Sequence, residues 1–242
     1  MYTFSGVVSG PIGTNCYTII NEATNEAVLI DASGSADTLL REVRKAGAKV
    51  VSIILTHAHF DHMDGVKGVK EEFPDAEVII GKNDAPLLKD PGSNLSLMFL
   101  GIPISLEADR TVSEGDELEV IGLKFKCIEV PGHTIGGMCY FMEKITDDSS
   151  EENSGDAHKE GADGSKSDDS DTGFGVVYPV LFDGDTLFHG SVGRSDFPTG
   201  DGEALITNIS EKLFVLPEET RVYPGHDSAT TIGWEKKNNF CF

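Results

Sequence analysis

The run His57-Ala58-His59-Phe60-Asp61-His62 places three imidazoles and a carboxylate within six residues. Neutral imidazole offers a lone pair to a metal near physiological pH. Nitrogen and oxygen donors of this kind suit zinc, iron or manganese. A lone histidine is usually a packed or solvated residue. Three together would bury several polar groups in a small volume, at considerable cost unless something binds them. The run follows Val50-Val51-Ser52-Ile53-Ile54-Leu55, which reads as a buried β-strand ended by Thr56. After it, Val66 to Phe73 reads as helical. The spacing therefore delivers the donors where a strand hands over to a loop.

Two further histidines stand in matching settings, Pro131-Gly132-His133 and Pro224-Gly225-His226. Each follows a strand-like run, Phe125 to Val130 and Arg221 to Tyr223. A Pro-Gly turn ends ladder pairing and aims the next side chain out of the strand. Asp185, in Asp183-Gly184-Asp185-Thr186-Leu187-Phe188, follows the strand-like run Val176 to Phe182. An aspartate in a turn is ordinarily turn chemistry, but here a carboxylate is what two neighbouring cations need between them. Of the chain's 7 histidines, these motifs absorb all but His158 and His189. His158 lies in a hydrophilic stretch and reads as solvated. His189 reads as a surface residue, with a supporting role behind the ligands as the alternative.

The elements around these motifs alternate between strand-like and helix-like runs, which points to a mixed α/β class. A chain of 242 residues is long enough for one sizeable domain with a real core. Residues 35–46 predict a helix packed by Leu39, Leu40 and Val43 and ended by Gly47. Residues 203–214 predict another, with Leu205, Ile206, Ile209 and Leu213 on one face. No stretch approaches the roughly 18 apolar residues of a membrane span. The start Met1-Tyr2-Thr3-Phe4 carries neither a basic segment nor an apolar signal core. Cys16, Cys127, Cys139 and Cys241 are scattered without paired spacing and read as free thiols. A cytoplasmic location is the expectation.

The formal net charge is −22, and much of the excess lies between Glu143 and Gly173. From Asp147 to Thr172 the only apolar side chains are Ala157 and Ala162. Such a stretch cannot bury enough surface to offset its ordering entropy. It reads as a flexible acidic insertion at about 144–174 within a single 1–242 domain, with an acidic arm for a cationic partner or a cation-chelating loop as the alternative. Acidity this strong argues against nucleic acid as a partner.

In order and setting, His57, His59, Asp61, His62, His133, Asp185 and His226 resemble the metal-ligand pattern of the metallo-β-lactamase superfamily. The resemblance runs over almost the whole chain. It implies a four-layer αβ/βα sandwich, with the metals at one edge between two sheets. It further implies two divalent metal ions, zinc first, with iron or manganese as alternatives. His57, His59 and His133 would hold one; Asp61, His62 and His226 would hold the other; Asp185 would bridge. Within the superfamily, the segment Gly184 to Pro198 and the tail Thr231-Ile232-Gly233-Trp234-Glu235 resemble the compact bacterial branch of the glyoxalase II group. Two departures are visible. Thr134-Ile135-Gly136-Gly137 stands where the family often has Thr-Pro-Gly-Ser, and Asn239 stands where proline is common. Neither is a ligand.

That branch implies hydrolysis of a small-molecule thioester, S-lactoylglutathione, to lactate and glutathione. Paired divalent cations lower the pKa of a bridging water enough to give hydroxide at neutral pH. Asp61 is then the catalytic residue that orients it. Arg194 falls where the family has a basic residue for the glutathione glycine carboxylate, and a guanidinium forks bidentately onto such a group. A structural ion pair with Asp196 or Asp201 is the equal alternative. Three other readings stay open. A persulfide dioxygenase would hold one iron on His57, His133 and Asp185, two histidines and a carboxylate facing open positions. A lactone or β-lactam hydrolase would use the same hydroxide on a cyclic substrate. A non-catalytic metal-binding protein would keep the ligands alone.

Overall fold

The computed structural model describes residues 1–143 and 178–242. The acidic insertion expected at about 144–174, with His158, lies outside the described residues. The first sheet is formed by β1 (Tyr2–Ser9), β2 (Thr14–Asn21), β3 (Glu26–Ile30), β4 (Lys49–Leu55), β5 (Glu77–Gly81) and β6 (Arg110–Val112), in that spatial order. Its first three strands pair antiparallel and its last four pair parallel. The chain continues with β7 (Glu117–Val120), β8 (Leu123–Glu129), β9 (Met138–Met142) and β10 (Val180–Gly184). A small ribbon of β11 (Leu187–Phe188) and β12 (Ser191–Val192) follows, then β13 (Arg221–Pro224) and β14 (Thr230–Thr231). The second sheet runs β14-β13-β10-β9-β8-β7.

Three apolar layers bind the parts together. Between the sheets, Ile19, Ile30, Ile54 and Ile79 meet Phe125, Cys127, Tyr140 and Phe182. On the outer face of the first sheet, Leu29, Ile53 and Leu55 pack under Leu39, Leu40, Val43, Val66 and Val69 of the helices. On the outer face of the second, Phe141, Leu181 and Val222 pack under Leu205, Ile209, Leu213 and Ile232. The result is a helix–sheet–sheet–helix sandwich of mixed α/β class. It explains why β4 is apolar without alternation: Ile53 and Leu55 serve one core and Ile54 the other. Near the margin, β8 alternates instead, with Leu123 and Phe125 buried and Lys124 and Lys126 exposed.

The topology collects the predicted donors at one edge. β10 runs parallel to β13 and antiparallel to β9, and β8 runs antiparallel to β9. The C-terminal ends of β8, β10 and β13 therefore open at the same edge, just before His133, Asp185 and His226. β4 ends there from the other sheet, just before His57. Two buried hydroxyls tie this edge across the sheets: Tyr140 donates to the Leu55 carbonyl at 3.0 Å and Tyr17 to the Pro224 carbonyl at 2.7 Å.

Two predicted helices differ in detail. The 35–46 helix bends at Leu40 (φ −94°, ψ 4°) into Ala36–Leu39 and Arg41–Ala46. Leu40 N still donates to the Ala36 carbonyl at 2.8 Å, so this is a bend rather than a stop. Gly47 closes the second piece at φ 67°, as its position predicts. The 203–214 helix is α over Gly202–Asn208 and widens to a π turn over Ile209–Leu213. Asn208 Nδ2 donates to the Ala204 carbonyl (2.7 Å) and Ser210 Oγ to the Ile206 carbonyl (2.9 Å), so side chains share the acceptors of the regular ladder.

Candidate metal centre

At the shared edge, His57 and His59 leave β4 on a loop, and Asp61 and His62 ride the first turn of the helix Phe60–Met63. Three donors converge first. His57 Nε2 lies 3.1 Å from His59 Nδ1 and 3.2 Å from His133 Nε2, and His59 Nδ1 lies 2.9 Å from His133 Nε2. A second set stands beside it, with Asp61 Oδ2 at 3.3 Å from both His62 Nε2 and His226 Nε2. Asp185 spans the two. Its Oδ1 is 3.3 Å from His62 Nε2, and its Oδ2 is 3.6 Å from both His226 Nε2 and His133 Nε2. All seven residues named from the sequence as ligands thus share one site.

Whether these side chains suit metal ions can be read from what holds their far sides. His133 Nδ1 donates to the Arg194 carbonyl at 2.7 Å, and His62 Nδ1 to Asp31 Oδ2 at 2.8 Å. Thr56 Oγ1 donates to Asp31 Oδ2 at 2.8 Å, so it offers a lone pair to His57 Nδ1 at 3.1 Å. Each contact puts a proton on Nδ1 and turns Nε2 toward the site, the second layer typical of metal-bound histidine. His62 Nε2 and Asp185 Oδ1 are buried without a hydrogen-bond partner. Buried polar atoms without a partner are costly unless a bound group meets them. The donor set, imidazole with carboxylate, fits two divalent metals.

The electrostatics differ between the sets. Burial, then the neighbouring histidines, pushes His57 well below the usual imidazole range. Burial and His133 push His59 down to about 3. Both imidazoles are therefore neutral at pH 7. Burial also works against the charged form of His62, but Asp61, Asp31 and Asp185 outweigh it and hold the ring well above its ordinary value. Burial works against the ionised form of Asp61 and Asp185 too. It is overcome by His62 with His226 at Asp61, and by His62, His133 and His226 at Asp185, and both carboxyls stay low.

Several supports carry no motif. Asp31 ends β3 in a left-handed conformation (φ 56°) and also accepts from Thr56 N at 2.8 Å. Asp84 is buried and accepts from Ala58 N (3.0 Å), Thr134 Oγ1 (2.9 Å) and Gly136 N (2.7 Å), tying the His57 loop to the His133 loop. Thr14 Oγ1 donates to Asp61 Oδ2 at 2.9 Å. Sequence reading missed these. The one usable signal was Asp31 standing directly after the apolar run Ala27 to Ile30. The glycines of the two Pro-Gly-His turns are explained by close approach. A Cβ on Gly225 would strike Asp185 Oδ1 and lie 2.6 Å from His62 Cε1; one on Gly132 would lie 2.5 Å from Leu205 Cα.

Arg194 is exposed, and its guanidinium forks onto Asp196, with Nε to Oδ1 and Nη2 to Oδ2 both at 2.7 Å. Its plane lies over the Phe197 ring at 3.8 Å. The residue thus holds a ligand histidine through its carbonyl while its cation is engaged by a neighbouring carboxylate. His189 is exposed and stacks on Trp234 at 4.1 Å. Cys16, Cys127 and Cys139 are buried free thiols, and Cys241 is exposed.

Comparison with known proteins agrees with this geometry. The Metallo-beta-lactamase superfamily pattern matches residues 9–144. The chain is 30% identical over 229 residues to hydroxyacylglutathione hydrolase GloC of Haemophilus influenzae, covering 93% of this chain and 91% of that one. It is 29% identical over 231 residues to "Probable metallo-hydrolase YqgX" of Bacillus subtilis, covering 95% and 92%. Among solved structures it is similar to BLEG-1 B3 metallo-beta-lactamase (TM-score 0.78, 31% identity, 98% of each chain). It is also similar to TTHA1623 in a di-iron-bound form (TM-score 0.72, 29% identity, 98% and 100%) and to ETHE1 from Myxococcus xanthus (TM-score 0.69, 27% identity, 98% and 83%). With the ligand order, the sandwich and these likenesses in agreement, the chain belongs to the metallo-β-lactamase superfamily.

Proposed function

We propose that this chain is a metal-dependent hydrolase of small-molecule thioesters, with S-lactoylglutathione as the reference substrate. The observation that carries the reading is Asp185, one carboxylate set between two complete donor sets. Likeness to GloC, a hydroxyacylglutathione hydrolase by name, supports the substrate class. Two divalent cations, zinc ahead of iron or manganese, belong to the proposal. When bound, such a pair supplies Lewis acidity, shifting water toward hydroxide and polarising the carbonyl under attack.

The chain's own residues supply the order. Thr14 fixes Asp61 so that Oδ2 faces His62 and His226, and the other Asp61 oxygen is assigned to orienting the attacking water. The water oxygen bonds to the acyl carbon and the carbon–sulfur bond breaks. Sulfur leaves as thiolate with little need of an acid; one water proton ends on the thiol and the other is released as the carboxylic acid ionises. Arg194, exposed at the rim, can exchange Asp196 for a substrate carboxylate, since exposed ion pairs hold weakly. A cytoplasmic setting is part of the same proposal, because unpaired thiols persist under reducing conditions. Among the described residues, no helix is long and apolar enough to cross a membrane.

A second reading rests on one specific convergence. His133 Nε2 lies 3.2 Å from His57 Nε2 and 3.6 Å from Asp185 Oδ2, two histidines and a carboxylate that suit a single non-haem iron. A persulfide dioxygenase would use that set. The test is chelation of the purified protein followed by separate re-addition of zinc, iron and manganese. Recovery of S-lactoylglutathione hydrolysis supports the first reading; recovery with none of the three metals overturns it.

A further inference from the structure

An exposed apolar cluster begins one aromatic ring away from the metal centre. Leu97, Met98, Phe99 and Ile102 are 50%, 69%, 47% and 60% exposed, although they fall within six residues. Phe99 stacks on the buried Phe60 at 5.6 Å and meets Phe197 edge-on at 5.7 Å. Phe197 in turn meets the His59 ring at 6.0 Å. A line of rings therefore runs from a ligand histidine to the surface.

This segment is built, not loose. Phe60 N, the residue next to His59, donates to the Asn94 carbonyl at 2.9 Å. Asn94 Nδ2 donates to the Ile104 carbonyl at 2.9 Å, and Ile104 N donates to Ser96 Oγ at 2.9 Å. Leu95 is buried at φ 67°, a left-handed backbone that a branched residue rarely adopts. A fixed, contiguous apolar patch facing water marks a binding surface. The patch itself is built of uncharged side chains, so apolar contact does the recognition there, beside the carboxylate assigned to Arg194.

We propose that the ledge formed by Phe99 and Phe197, with Met98 and Leu97 beside it, seats an extended apolar acyl group. The enzyme then prefers thioesters of longer acyl chains to a short hydroxyacyl one. This rests on the thioester-hydrolase reading and names its substrate class.

The test is calorimetric binding of S-methyl, S-butyl, S-hexyl and S-octyl glutathione to the metal-loaded protein. These thioethers cannot be hydrolysed, so the readout is independent of turnover. The dissociation constant is expected to fall about two- to fourfold per added methylene. Met98→Ser, at a mostly exposed position that tolerates a polar side chain, and Phe99→Ser are expected to flatten the series. Val215→Ser, at an exposed apolar position outside the cluster, is expected to leave it unchanged. Affinity indifferent to chain length overturns the ledge, even with thioester turnover intact. A steep series without hydrolysis of acetyl-, hexanoyl- or octanoyl-glutathione keeps the ledge and removes the hydrolase reading. Sedimentation on the same samples covers the remaining occupant. A dimer dissociated by Met98→Ser, with a flat chain-length series, would assign the patch to a second copy and overturn the proposal.

Discussion

The two halves of the metal centre are built on opposite electrostatic plans. His57, His59 and His133 form an all-imidazole set, with His57 and His59 held neutral and little exposed. Asp61, His62 and His226, with Asp185, form a mixed set in which carboxylates support imidazolium charge. Without a cation the first set offers converging lone pairs only to one another. The second compensates itself through ion pairs. It is also the wetter half: the side chain of His226 is 22% exposed and that of His133 5%. The first half is thus a pure acceptor of a cation. The second is a charged half, and the more exposed of the two.

The largest effect is expected from removing a ligand. His57→Ala and Asp185→Ala should lower metal content and take turnover to background, as elemental analysis and a thioester assay would show. His226→Ala should spare the first half, keeping about one metal per chain where the parent holds about two; equal loss from both halves would break the contrast. Next comes Gly225→Ala, whose Cβ would strike Asp185 and crowd His62. A displacement on the order of 1 Å at the site can cost about 100-fold, so kcat should fall by that order, with a melting temperature lower by only a few degrees from the overpacking. Asp31→Asn follows. Asp31 touches His62 directly and His57 through Thr56, so both halves should lose about 10- to 100-fold in metal affinity, measured by competition with a chelator. Arg194→Ala should be mildest, because it leaves the carbonyl that holds His133 in place. We expect KM for a carboxylate-bearing thioester to rise by about three- to tenfold with kcat nearly constant. Asp196→Asn should shift KM the other way; an unchanged KM in both would remove Arg194 from substrate binding.

The sequence made the converging donors legible because chemistry and setting coincide in them. Three imidazoles in one run, and two Pro-Gly-His turns after strands, are patterns that packing alone does not produce. The run leading into His57 was legible for a different reason: burial on both faces makes β4 apolar throughout. The supports were not legible. Asp84 gathers donors from Ala58, Thr134 and Gly136, residues that only the finished sandwich brings near it, and a single aspartate has no period to betray it. The dual part of Arg194 was hidden likewise, since its carbonyl, not its side chain, meets His133. The π turn at Ile209–Leu213 escaped because the apolar face Leu205, Ile209 and Leu213 suits either helix width. The segment at 144–174 was expected from composition alone and lies outside the described residues.

The central claim is that one bridging carboxylate serves two cations in a hydrolase. Its most direct test follows S-lactoylglutathione hydrolysis and oxygen uptake with glutathione persulfide on one purified sample of known metal content. The account predicts thioester turnover with about two divalent metals per chain and no oxygen uptake. Oxygen uptake with a single iron and no thioester turnover would contradict it, leaving the ligands in place and replacing the chemistry.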